Sequence, residues 1–183
     1  MKSNWLMAVL VGGLIAGALD ITYAFIVYGP LAHAVGISTS TSPEGVLQSV
    51  AGGWMGHDAA SAGGLQTALI GLGTHFMIAL IMAAVFVFFA GRISALSKSP
   101  ILWGFLYGVV LFVVMNYVVV PLSAAATGEF ATAANAGERI AAAVDRTLQF
   151  KRPLLLAGTI FTHTVFVGVP IALANARFAG ARA

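Results

Sequence analysis

The chain has 183 residues, 60% of them hydrophobic and 8% charged, with a formal net charge of +3 and no cysteine. Soluble domains carry about a quarter charged residues, so this composition excludes a water-soluble core protein. The missing thiols exclude disulfides, thiolate metal sites and thiol catalysis.

Hydrocarbon about 30 Å thick asks for roughly 20 mostly apolar residues per helix. Four runs meet that length: Trp5–Tyr28, Gly64–Ala90, 101–123 and 153–176, with external segments at 29–63 and 124–152. The expected fold is all-α, an integral-membrane four-helix bundle with short amphipathic external helices, forming one membrane domain over 1–183. Four spans put both termini and the loop 91–100 on one side. That side holds Lys2, Arg92, Lys98, Arg177 and Arg182 and no acid. The other side mixes Glu44, Asp58, Glu129, Glu138 and Asp145 with Arg139, Arg146, Lys151 and Arg152. By the positive-inside rule both ends are then cytoplasmic. The basic residues are topology signals, and no nucleic-acid partner is expected.

In the first span, Lys2, an apolar run and Ala16-Gly17-Ala18 imitate a secretory signal, but the run continues to Tyr28. That is too long for an h-region, so the helix is expected to be retained. Trp5 and Tyr28 bracket it at the interfaces. Gly13, Ala16, Asp20 and Ala24 share one face, and Gly13 with Gly17 forms a GxxxG pair that admits a second backbone. A charged Asp at mid-membrane costs about 3 kcal/mol on insertion scales, so Asp20 needs a partner, water or a proton.

In the segment 29–63, Thr41 and Glu44 have capping-box spacing and Pro43 suits a first turn, which predicts an amphipathic helix over 43–51. His57-Asp58 reads as part of a solvated loop and not as a metal site. The second span carries Gly64, Ala68, Gly71, His75, Ala79 and Met82 on one stripe, with small residues flanking the imidazole. The third starts at Trp103, has a second GxxxG pair at Gly104 and Gly108, and places Asn116 just before Pro121. A helix is expected over 138–150. The fourth span holds Thr159, Thr162, His163 and Thr164, and Pro170 should kink it. Thr162 and Thr164 are expected to back-bond to their own helix.

Depth links the polar residues. At 1.5 Å per residue, Asp20 lies ~12 Å, Asn116 ~10 Å, and His75 and His163 ~15 Å inside the outer ends of their spans. Asp20, His75, Asn116 and His163 are thus candidate ligand-binding residues in one intramembrane layer. Asp20…Pro30 and Asn116…Pro121, with Thr74-His75 and Thr162-His163, also hint at a duplicated hairpin.

Three functional classes follow. The first is a protein that binds or conducts a proton, a metal ion or a small polar ligand at that layer. Two imidazoles and a carboxylate would suit zinc, iron or copper, with Asn116 supporting the ligands. The second is a non-catalytic structural or accessory subunit, whose GxxxG faces join a larger membrane complex or a homo-oligomer and whose polar layer is interhelical glue. The third is an electron carrier with His75 and His163 ligating one haem b. No GxSxG, HExxH or phosphate loop is present, so no enzymatic activity is expected. Membrane lipid is the one partner common to all three.

The stretches GGLIAGALDITYAF, GVLQSVAGGWMG, TALIGLGTHFMIAL, LYGVVLFVVMNYVVVPLSA and HTVFVGVPIALANARFA resemble a family of small, uncharacterised bacterial inner-membrane proteins with four helices. The segment 124–152 is longer and more polar than in that family. The resemblance implies a multi-pass protein of the bacterial inner membrane and carries no activity with it.

Overall fold

The fold is described from a computed structural model covering residues 4–125 and 127–180. Lys2 and Arg182, counted above as topology signals, lie outside the described residues. Among those residues the chain is 80% helical with no strands. Eight helices are labelled here: α1 Trp5–Tyr28, α2 Pro43–Met55, α3 His57–Ala62, α4 Gly64–Ala90, α5 Ala95–Lys98, α6 Pro100–Leu122, α7 Ala136–Leu148 and α8 Pro153–Ala179. Among the described residues, α1, α4, α6 and α8 are long and apolar enough to cross a membrane. The protein is an all-α, multi-pass membrane protein.

Two compact units divide the chain, and each draws on all four long helices. Unit 1 comprises residues 4–23, 76–112 and 159–180, and unit 2 comprises 24–75 and 113–158.

In unit 1 the core is built from Ala8, Val9 and Ala16 of α1, Ala83, Phe86 and Val87 of α4, Leu111 of α6, and Val167, Ile171 and Ala172 of α8. Small and β-branched side chains predominate because hydrocarbon gives no hydrophobic drive between helices. Close backbone approach and van der Waals contact must supply the attraction. Gly108 and Gly168 show how close that approach is. A Cβ on Gly108 would run into the His163 carbonyl and the Thr164 backbone, and one on Gly168 into the Gly104 carbonyl. A Cβ on Gly104 would come within 2.7 Å of the Gly168 oxygen. Across α1 and α4, a Cβ on Gly13 would sit 2.9 Å from Leu80 Cα and one on Gly17 2.8 Å from Phe76 Cδ1. Tyr107 then ties α6 to α4, its hydroxyl donating to the Met82 carbonyl at 2.7 Å while its ring packs 5.1 Å from Phe86.

Unit 2 is held by its own set of polar contacts. The helix expected over 43–51 runs on to Met55, because Gly52-Gly53 is accommodated without a break. Its cap is Ser42, not Thr41: Pro43 occupies the first helical position, which makes Ser42 the capping residue, and its Oγ accepts from Gly45 N at 3.1 Å. The Thr41 amide donates instead to the Tyr28 carbonyl at 2.7 Å. His57 and Asp58 open helix α3 and are not in a loop. Gly56, at φ +84°, makes the turn between the two helices, a backbone conformation that a side chain would strain. α2 lies against α4 so closely that a Cβ on Gly71 would meet the Leu47 carbonyl.

The helix expected over 138–150 begins and ends two residues earlier, at Ala136–Leu148. Arg139 in its first turns donates from one guanidinium nitrogen to the carbonyls of Ser123 (3.3 Å) and Glu129 (3.0 Å), and from the other to Thr127 Oγ1 (2.7 Å). The loop after α6 is further fastened by Ala124 N–H donating to the Gly53 carbonyl at 3.0 Å.

Candidate functional site

Three turns of the long helices are widened from i→i−4 to i→i−5 bonding. Val120 N–H reaches back to the Met115 carbonyl, Val169 N–H to Thr164, and Gly180 N–H to Asn175. Two of these turns precede a proline. Pro121 and Pro170 lack an N–H, and their rings would crowd the carbonyl four residues back, so the turn before each opens. This widening is how α8 accommodates Pro170. The widened turn Met115–Val119 contains Asn116, and Thr162–Gly168 contains Thr162, His163 and Thr164. Turns of this type recur at functional sites because they turn side chains and carbonyls out of helical register.

Asp20 and His163 belong to unit 1. Asp20 is half-buried on α1, and its Oδ1 accepts a hydrogen bond from Thr162 Oγ1 of α8 at 3.1 Å. Thr162 is buried, 4% exposed, so this contact lies within the packed interior. The expectation that Thr162 bonds to its own helix is corrected: it crosses to α1. Thr164 does back-bond, to the carbonyls of Ile160 and Phe161 at 2.9 and 3.0 Å. The two threonines differ because Asp20 stands opposite the first, and a carboxylate is a stronger acceptor than a carbonyl already engaged in its helix.

His163 follows immediately. Its Nδ1 lies 2.8 Å from the Thr159 carbonyl, and Phe112 of α6 stands edge-on to the ring at 6.0 Å. A carbonyl only accepts, so Nδ1 carries the proton and Nε2 of the neutral ring keeps its lone pair.

His75 and Asn116 belong to unit 2, and both are half-buried. Beside His75, Thr74 accepts from Trp54 Nε1 of α2 at 2.9 Å, and the Trp54 ring meets Phe130 edge-on at 6.2 Å. Thr74 is therefore an acceptor for an indole, whereas Thr162 is a donor to a carboxylate. Asn116 sits in a widened turn, whereas Asp20 sits in regular helix. The local roles of the paired motifs thus differ, and the hint of duplication gains no support from them.

Among the described residues no group of three His, Asp or Glu side chains gathers as a metal-holding set. Sequence reasoning assigned Thr162 to its own helix and passed over Asn175. Thr162 was legible by depth, since nine residues into α8 is ~14 Å against ~12 Å for Asp20. Asn175, near the end of α8, is 1% exposed and donates from Nδ2 to Ser97 Oγ at 3.1 Å. An asparagine so close to a helix end reads in the sequence as an interfacial residue.

No family profile matches the chain, no curated protein is similar to it, and no solved structure matches it.

Proposed function

We propose that the protein is a non-enzymatic carrier or binding protein of the bacterial inner membrane, with both termini cytoplasmic. It takes up a proton or a small polar solute at Asp20, Thr162 and His163. The observation that carries this reading is the Thr162–Asp20 hydrogen bond beside a widened turn. An ionisable side chain in a membrane helix is a functional candidate by default, and Asp20 is half-buried with one hydroxyl donor on its carboxyl group. His163, next in the chain to Thr162, adds an imidazole, and carboxyl and imidazole groups are the side chains of which proton relays are built. His75 and Asn116 are proposed as a second polar station belonging to unit 2. The acid-free basic loop at Arg92 and Lys98 supports the topology.

A metal site draws no support from the described residues, where no three-ligand group forms. A docking role is also less favoured. The glycines that would open a face to another protein, Gly13, Gly17, Gly104 and Gly108, are taken up by helices of this chain.

The test is proton flux. Protein reconstituted into vesicles with an entrapped pH dye is driven by a potassium diffusion potential. The wild type should acidify or alkalinise the lumen faster than empty vesicles, and Asp20→Asn should abolish the difference. Flux that is the same in Asp20→Asn and the wild type would defeat the reading.

A further inference from the structure

At one end of unit 1 a cavity of about 720 Å³ is lined by Trp5 and Val9 of α1, Val87 of α4, Arg92 and Ser94 after it, and Asn175 of α8. Its walls combine two chemistries. Trp5, Val9 and Val87 are apolar, and Trp5 is 63% exposed at the start of its span, where indoles favour the membrane interface. Arg92 and Ser94 bring hydrogen-bonding groups to the same space, and Asn175, itself buried, backs the wall. The cation is held in place: Arg92 donates to the Phe88 carbonyl at 3.0 Å, and its guanidinium lies 3.5 Å over the Phe88 ring. A guanidinium has five N–H donors in a fixed fork, so the others remain to be offered to a ligand. Asn175 is fixed by its bond to Ser97 in the basic loop. Arg92, Lys98 and Arg177 are the charged residues described here, and the acid of unit 1, Asp20, lies far along α1 from Trp5.

We propose that this cavity is a binding site for an anionic phospholipid, with the phosphate on Arg92 and the upper acyl chain along Trp5, Val9 and Val87. The forked guanidinium matches a phosphate diester, which accepts two parallel N–H bonds. The charge complementarity selects an anionic headgroup over a zwitterionic one, and basic pockets at the cytoplasmic ends of membrane helices recognise anionic lipid. The volume and the apolar wall favour lipid over free phosphate, which would leave most of the cavity unfilled. Bound there, the lipid would brace the junction of α1, α4 and α8 and stabilise the folded chain.

Native mass spectrometry of the detergent-purified full chain, titrated separately with phosphatidylglycerol and phosphatidylcholine, tests the site. Phosphatidylglycerol should bind about tenfold more tightly, and Arg92→Gln should erase that preference. Ala84→Phe, which enlarges an exposed residue lining the cavity, should weaken phosphatidylglycerol while leaving the fold intact by circular dichroism. Millimolar inorganic phosphate should displace little lipid. Equal affinity for the two lipids, an unchanged preference in Arg92→Gln, or full displacement by phosphate would each overturn the proposal.

Discussion

Thr162 of α8 donates a hydrogen bond to Asp20 of α1 across 142 residues of sequence, at 3.1 Å. The contact answers what a carboxyl group does inside an apolar helix: it is met by a hydroxyl delivered from a widened turn. The proline that opens the turn, Pro170, lies eight residues further along α8. A backbone irregularity encoded by one residue thus accompanies the placement of the donor to another.

Thr162→Val should destabilise the protein by about 1–2 kcal/mol, the range for leaving a partly buried acceptor unmatched. Thr162→Ser, which keeps the hydroxyl, should recover most of it. Unfolding in mixed detergent micelles measures both, and equal loss in Val and Ser variants would show that packing, not the hydrogen bond, matters at this position.

Gly168→Ala should be among the most damaging single-methyl changes in the chain, because its Cβ would strike the Gly104 carbonyl and the Gly108 backbone. Backbone has no rotamer by which to give way, so the cost belongs at or above the top of the ~1–3 kcal/mol range for overpacking. Gly73→Ala is the matched control: nothing lies within 4 Å of its Cβ, and helix propensity should make it neutral or stabilising by about 0.5–1 kcal/mol. Thermal unfolding of the two variants side by side decides the matter.

Ser42→Ala should cost about 1 kcal/mol through loss of the cap on α2, while Thr41→Ala should cost far less because the Thr41 contact described here is made by its backbone amide. The order of the two midpoints in a denaturant series is the readout. A larger effect at Thr41 would return the cap to the residue that the Thr41–Glu44 spacing suggested.

Arg139→Lys should loosen the loop after α6. A single ammonium cannot reproduce a fork that spans the Ser123 and Glu129 carbonyls and the Thr127 hydroxyl. Proteolysis within 123–129 should speed up in Arg139→Lys, with the spanning helices left intact. An unchanged cleavage rate would mean that the Ala124–Gly53 backbone bond suffices to hold the loop.

Much of the architecture was legible before any coordinates. Hydrocarbon imposes a length and a composition on each span, so Trp5–Tyr28 and Gly64–Ala90 were delimited to the residue. The apolar run of the fourth span stopped at Ala176, yet α8 continues to Ala179 through a widened turn that starts at Asn175, which is buried and bonded to Ser97. Hydropathy cannot anticipate a polar residue satisfied by a distant loop.

The sequence by itself determined that this is an all-helical membrane protein, with ionisable and amide side chains at particular depths in its spans. Period, length and proline position are local quantities, and the bilayer makes them decisive. Only the tertiary structure decided which groups meet. It sent Thr162 to Asp20 and left Thr164 on its own helix, gave Thr74 to Trp54, and filled the glycine faces with neighbouring helices of the same chain. Partner choice depends on helix rotation and on the distance at which backbones stop. Both are set by the summed van der Waals contact of small residues, a property of pairs of helices that no single segment contains.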